Sequence, residues 1–362
     1  MILVCILLAV LIILGIIECQ MHRRNLDRIS IRILVNGTRG KTSTARMLIA
    51  ALNDQGIRTV GRTTGSEACV LFPDGRIEPV VRKRPARITE MIPFARLAVL
   101  QNAQCIVAEC MALGAENQKA MARHLVRPTH VVITNSYVDH IDAIGSTFEE
   151  TVWTLSQSVP RRCDLFASEQ VYGALDSRFH LCCGLPSSGE GETLPFHPQN
   201  TALALAVIRS LGLDEQKARA SMAHASGDIG LHKPFHFKSG ALVVPDFAVN
   251  DLHCMNEALD SVESGARIIL VFNNRKDREY RAQVFSKLLC STDRAVEMVC
   301  CIGDYPRKIA RYLASRSHLR CEAMDEVQVF DQIEKSDSKT VFLCLGNIKG
   351  AGQQLLSRLE EA

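Results

Sequence analysis

Residues 31–52 read IRILVNGTRGKTSTARMLIAAL, and the fold turns on them. The apolar run Ile31–Val35 has strand composition. It leads into Asn36-Gly37-Thr38-Arg39-Gly40-Lys41-Thr42-Ser43, and Ala45–Leu52 continues with helix-compatible residues. Strand, glycine-bearing turn, Lys-Thr and helix together form the context of a phosphate-binding loop. Gly37 and Gly40 let the backbone curl until its N–H groups converge on phosphate oxygens. Lys41 adds a point charge, the Thr42 hydroxyl suits Mg²⁺, and the helix N-terminus adds its dipole. The spacing departs from G-x-x-x-x-G-K-[ST], because the first glycine of that pattern falls on Val35. An ordinary strand-to-helix turn is the competing reading, but it gives Lys-Thr directly after a glycine little reason to exist.

The chain has 362 residues, enough for two domains with their own cores. A net charge of +3, one Trp and five Tyr supply neither the basic footprint nor the stacking platform of a nucleic-acid binder. The 14 cysteines form no C-x-x-C, which fits reduced core thiols better than a disulfide framework or a zinc site.

Met1–Ile17 (MILVCILLAVLIILGII) carries no charge, and Glu18 ends the run. As a helix it spans about 25 Å, the short end of bilayer-crossing length. His22, Arg23 and Arg24 follow, which by the positive-inside rule leaves the remainder in the cytoplasm. We read residues 1–18 as a single-pass anchor. A cleaved signal peptide competes, but the segment lacks a basic start and a small-x-small cleavage site. A buried core helix is the third reading.

From Arg28 onward, strand-like runs alternate with amphipathic stretches. Strands are expected at Ile31–Val35, Cys105–Ala108, His130–Thr134, Ala241–Val244, Ala266–Phe272, Met298–Ile302 and Thr340–Leu345. Helices are expected at Glu116–His124, Thr201–Leu211, Asp214–His224, Asn256–Val262, Tyr280–Leu289 and Ile348–Leu359. This rhythm predicts an α/β protein with parallel sheets covered on both faces. Gly184–Pro198 reads as a surface loop, and the polar, glycine-bearing stretch Ala225–Pro234 as a break. The expected organisation is therefore an anchor (1–18), a phosphate-loop domain (28–233) and a smaller α/β domain (234–362).

Ligands in open α/β sheets gather at the carboxyl ends of strands. Glu109 closes one buried run, and Thr134-Asn135 closes another just before Asp139-His140. Singly, Glu109 could be a cap or surface charge and His140 a neutral structural histidine. Beside Lys41-Thr42 they form a candidate Mg²⁺ set of hydroxyl, carboxylate and imidazole.

These motifs resemble the Mur ligase superfamily, which includes folylpolyglutamate synthetase, and within it the catalytic subunit of membrane-associated poly-γ-glutamate synthase. The resemblance covers nearly the whole chain. It runs through Asn36–Thr42, Gly61-Arg62-Thr63-Thr64-Gly65, Ala108–Ala112, Asp139–Gly145 and Pro198–Leu205. It continues with Asp246–Asp251, Asn273–Arg278 and Gly346–Gly350. The shortened phosphate loop is the form this superfamily uses. The resemblance implies a parallel-sheet ATP-binding central domain and a Rossmann-like C-terminal domain. It implies ATP phosphates on Asn36–Ser43 and Mg²⁺ near Thr42, Glu109 and His140, with Asn200 near adenine and Asp246 on the ribose. Arg275, Asp277 and Arg278 would close over nucleotide or acyl phosphate. Asn200 is also read as a helix N-cap. Departures from the pattern are Val138 before Asp139-His140 and Asn274 where relatives carry Cys; no carbamylated lysine is assigned.

The activity so implied is ATP-dependent, ADP-forming γ-glutamyl ligation at the cytoplasmic membrane face. Its partners would be glutamate, the growing poly-γ-glutamate chain and membrane subunits of a synthase and export complex. Arg82–Arg87 reads either as a solvated charge run or as a hold on a polyanionic chain. Two alternatives stand beside this. One is a Mur- or folylpolyglutamate-type ligase with another acceptor, the other a membrane-bound regulatory ATP-binding module.

Overall fold

The computed structural model describes residues 2–64, 68–82, 84–139, 141, 143–182, 196–225, 234–247, 249, 252–278 and 280–362. The chain divides into two compact units, Met1–Asp228 and Ile229–Ala362. His140, most of the loop expected at Gly184–Pro198 and most of the expected break at Ala225–Pro234 lie outside the described residues.

The first unit is built on eight strands: β1 (Ile31–Asn36), β2 (Thr59–Arg62), β3 (Cys69–Leu71), β4 (Ile77–Pro79), β5 (Cys105–Glu109), β6 (His130–Ile133), β7 (Asp164–Ala167) and β8 (Arg178–Leu181). Their order is β4-β3-β2-β5-β1-β6-β7-β8. Pairing is parallel from β2 to β8, while β3 and β4 join antiparallel at one edge. The sheet is thus mostly parallel rather than wholly so. Helices cover both faces, which is why the central strands are near-continuous apolar runs.

Strand alternation sorts the core into two layers. Ile33, Val35, Cys105 and Val107 pack with α2 (Lys41–Asp54) and with α6 (Pro198–Ser210) and α7 (Glu215–Ala223). Leu34, Ile106, Ala108 and Val60 pack with α3 (Met91–Leu100) and a π-helical turn, Met121–Val126, that continues α4 (Ala115–Ala120). A further helix, α5 (Phe148–Ser156), is capped by the Thr147 hydroxyl.

Helix α1 (Ile2–Asp27) is long and apolar enough to cross a bilayer. Residues 2–17 are exposed, but the helix runs unbroken into the folded unit. Leu26 is fully buried in the α3 layer, the His22 Nε2 bonds the Leu125 carbonyl at 2.9 Å, and Asp27 pairs with Arg127. Leu26→Ala is expected to cost about 3 kcal/mol by leaving a cavity in that layer. The measurement is thermal unfolding of the detergent-solubilised chain; an unchanged midpoint would show that the end of α1 is not part of the core.

The second unit holds six strands: β9 (Phe235–His236), β10 (Leu242–Val244), β11 (Arg267–Asn274), β12 (Val296–Gly303), β13 (Cys321–Ala323) and β14 (Thr340–Leu345). Their order is β13-β12-β11-β14-β10-β9, parallel except for β9. One face packs α8 (Leu252–Asp260), α9 (Tyr280–Ser291) and α10 (Pro306–Ser317); the other packs α11 (Glu326–Glu334) and α12 (Ala351–Glu361). Every described cysteine in the chain is a free thiol.

Candidate functional site

The loop between β1 and α2 depends on two glycines. Gly37 has φ +122° and Gly40 φ +77°, conformations that side-chain-bearing residues rarely adopt. There is no room for side chains either. A Cβ on Gly37 would run into Thr134, and one on Gly40 into the Asn200 amide.

The end of β6 holds the loop in place. Thr38 N–H donates to the Asn135 carbonyl at 3.0 Å, and its hydroxyl donates to the Tyr137 carbonyl at 2.8 Å. Arg39 N–H donates to Asn135 Oδ1 at 3.0 Å, while its carbonyl accepts from the Thr134 hydroxyl and from Asn135 Nδ2. Arg39 also pairs with the buried Asp139 at 3.0 Å. Thr134, Asn135 and Asp139 are therefore loop-shaping residues. The sequence pattern marked the strand end but not this function.

Asn36 does not turn its side chain to the loop. Strand alternation places it on the face of Leu34, where its amide donates to Gln118 Oε1 at 2.8 Å and Ser158 Oγ at 2.9 Å. Glu109 has the opposite parity and falls on the α2 face with Cys105 and Val107. The register sets it beside Val35. Its Oε2 accepts from the Thr42 hydroxyl at 3.0 Å and from Thr64 N–H at 2.6 Å, and the carboxylate is 2% exposed.

Lys41 opens α2, half-buried. Its Nζ donates to the carbonyls of Gly37 at 2.7 Å and Thr38 at 3.1 Å. Burial pulls its ammonium below the usual lysine range, opposed by the nearby Glu109 carboxylate. Ser43 is buried in the same first turn. Asn200 lies inside the first turn of α6, which His197 caps, so the N-cap reading of Asn200 does not hold. Its side chain packs against Gly40 instead.

Among the described residues no group of three or more His, Cys, Asp and Glu side chains is placed to hold a metal. The Thr42 hydroxyl and Glu109 carboxylate are nonetheless adjacent hard oxygen donors at the mouth of a phosphate-type loop. They fit Mg²⁺, which takes few protein ligands and fills its shell with phosphate oxygens and water.

In the second unit, Asp246 follows β10, half-buried, and burial raises its carboxyl pKa. Arg275 follows β11 and pairs with Asp277 at 2.7 Å; Arg278 ends the 3-10 turn Lys276–Arg278. Asn273 and Asn347 cross-link the ends of β11 and β14, with the Asn347 amide donating to the Asn273 carbonyl at 2.9 Å. The buried Arg281 donates to the Gly346 carbonyl at 3.0 Å. Asp246, Arg275, Asp277 and Arg278 thus all sit just beyond the carboxyl ends of parallel strands.

Residues 35–152 match the Mur ligase middle domain, and residues 232–362 match the poly-gamma-glutamate synthase CapB C-terminal domain. The chain thus carries a match to a Mur ligase middle domain followed by a match to a CapB-type C-terminal domain. It is similar to the PGA synthase CapB of Bacillus subtilis (strain 168), 28% identical across 98% of this chain and 96% of that protein. It is also similar to the capsule biosynthesis protein CapB of Bacillus anthracis, 27% identical across 97% of this chain and 81% of that one. Its fold is that of a bifunctional folylpolyglutamate synthase/dihydrofolate synthase from Yersinia pestis, solved with AMPPNP and a Mn ion. The TM-score is 0.67 at 16% identity, covering 94% of this chain and 92% of the other. The loop with one glycine displaced from the generic pattern thus falls within the Mur ligase middle-domain match.

Proposed function

We propose that this chain is an ATP-dependent, ADP-forming amide ligase that synthesises poly-γ-glutamate. The observation that carries the reading is the Lys41, Thr42 and Glu109 constellation, set in a Mur ligase central domain whose chain continues into a CapB-type C-terminal domain.

A carboxylate does not react with an amine until one of its oxygens becomes a leaving group. A γ-carboxylate oxygen attacks the γ-phosphorus of ATP, forming a C–O–P bond as the β–γ bridging P–O bond breaks and ADP departs. A glutamate amine then attacks the acyl carbon through a tetrahedral intermediate, loses its proton, and phosphate leaves. The loop amides from Gly37 to Thr42 bind the phosphates. Lys41 exchanges its loop carbonyl partners for phosphate oxygens and neutralises charge on the transferring phosphoryl group, mainly an electrostatic and positioning task. Thr42 and Glu109, with His140, would hold Mg²⁺, which when bound neutralises charge on the phosphate oxygens. Asn200 is assigned to the adenine side of the loop, Asp246 to the ribose, and Arg275, Asp277 and Arg278 to nucleotide or acyl phosphate.

We assign residues 1–18 to a retained membrane anchor with both catalytic domains in the cytoplasm. Residues 28–233 form the ATP-binding domain and 234–362 the C-terminal ligase domain. The packing of His22 and Leu26 into the first unit supports retention, because the helix continues as part of the folded protein. Membrane subunits of a synthase complex are the proposed partners.

ADP release by the detergent-solubilised chain is expected to require glutamate and Mg²⁺, to cease with EDTA, and to accompany isotopic glutamate entering polymer. Glutamate-independent ATP hydrolysis with no new amide bond would instead identify a regulatory ATP-binding module.

A further inference from the structure

The end of β2 carries a charged cluster to which the ligase chemistry assigns no task. Arg62, the last residue of the strand, shares the parity of Val60 and faces the α3 layer. Its Nη2 pairs with Glu90 Oε2. Arg82 Nε reaches both oxygens of the same carboxylate, at 3.1 and 3.2 Å, and Arg87 N–H donates to Oε1 at 3.0 Å. Two guanidiniums therefore close on one carboxylate, leaving an excess positive charge. Arg62 is 5% exposed, and its Nε, the Arg82 Nη2 and the fully buried Thr63 hydroxyl have no hydrogen-bond partner among the described residues.

A structural ion pair needs one cation, and a second with unspent buried donors is a cost that packing alone does not explain. The cluster also adjoins the site. Arg62 stands in register with Ala108, next to Glu109, and two residues on the Thr64 amide donates to the Glu109 carboxylate.

We propose that Arg62 and Arg82 receive an α-carboxylate of the γ-glutamyl chain, and that Glu90 occupies this clamp as an internal stand-in until substrate displaces it. The chemistry of the polymer supports the match. Linking through amine and γ-carboxyl leaves one free α-carboxylate on every unit, the same group as the Glu90 side chain. A planar guanidinium fork recognises such a group in two-point fashion, and two forks select it over an ester or amide. Glu90 is positioned to yield, since its side chain keeps 22% exposure and sits at a short 3-10 turn, Ile88–Glu90. Exchanging one carboxylate for another leaves the local charge unchanged. The tethered competitor weakens apparent affinity by the fraction of time it fills the clamp. The chain would then meet the end of β2 from the α3 face while the phosphate loop works on the α2 face. This inference rests on the ligase reading above.

The test uses the full detergent-solubilised chain with saturating ATP and oligo-γ-glutamate of defined length, as free acid or α-methyl ester. Arg82→Gln is expected to raise the KM for the free acid about tenfold and erase its preference over the ester, with the KM for ATP unmoved. Glu90→Gln is expected to lower the free-acid KM several-fold. Arg62→Lys, which keeps the charge but not the fork, guards against a misfolded variant and should also lose the free-acid preference. Wild-type elongation with unaltered oligomer KM and ester discrimination in all three variants would overturn the clamp alone. Absence of oligomer-dependent ADP release from the wild-type chain would overturn the ligase reading, and the clamp with it.

Discussion

Lys41→Ala is expected to lower glutamate-dependent ADP release by about 10³-fold or more, the scale on which preorganised charges at a phosphoryl-transfer site act. The Lys41 ammonium has two tasks. Without nucleotide it ties the loop together through the carbonyls of Gly37 and Thr38. With nucleotide it supplies charge where charge develops. The first task has substitutes. Thr134 and Asn135 hold the same loop from the β6 end through bonds to Thr38 and Arg39, and Gly37 and Gly40 keep their conformations independently. The loop should therefore survive the substitution, and fluorescent-nucleotide affinity should fall far less than turnover. A loss confined to affinity, with turnover at saturating ATP within tenfold of wild type, would show that Lys41 only binds ATP. Intact polymer formation would remove the loop from catalysis altogether.

What could be read in the sequence follows from where the physics is local. β1, β5, β6, β11 and β14 are buried on both faces and so appear as unbroken apolar runs. Glycine followed by Lys-Thr marks a turn whose backbone requirements are local too. The elements without such signals were not visible. Thr59-Val60-Gly61-Arg62 and Arg178-Phe179-His180-Leu181 are short and partly polar, and become strands only through pairing with β5 and β7. The site shows the same division. Glu109 stood out as a carboxylate closing a strand, but its bond to Thr42 spans 67 residues and depends on the β1–β5 register. Asn36 belongs to the loop motif, yet strand alternation turns its side chain to Gln118 and Ser158. The packing of Asn200 against Gly40, and the grip of Arg62 and Arg82 on Glu90, likewise belong to tertiary structure.

Glu109→Gln should lower turnover about 10²- to 10³-fold, with the Mg²⁺ concentration for half-maximal activity rising by about 10- to 100-fold. Glutamine is the informative replacement because the wild-type carboxylate does two things at once. Its Oε2 accepts from the Thr42 hydroxyl and the Thr64 amide, fixing the loop's hydroxyl and the end of β2. Its charge would balance Mg²⁺. Glutamine keeps a carbonyl oxygen of the same reach, so both donors retain an acceptor and the fold should hold. Alanine would leave them unsatisfied at a position that is 2% exposed, costing about 1–3 kcal/mol of stability and confusing misfolding with lost chemistry. The two roles therefore separate in a Mg²⁺ titration of the glutamine variant. A rightward shift with partial recovery at high Mg²⁺ assigns Glu109 to the metal. Full activity at unshifted Mg²⁺ would make it a hydrogen-bond acceptor alone, and metal binding would then have to rest on Thr42 and groups beyond it.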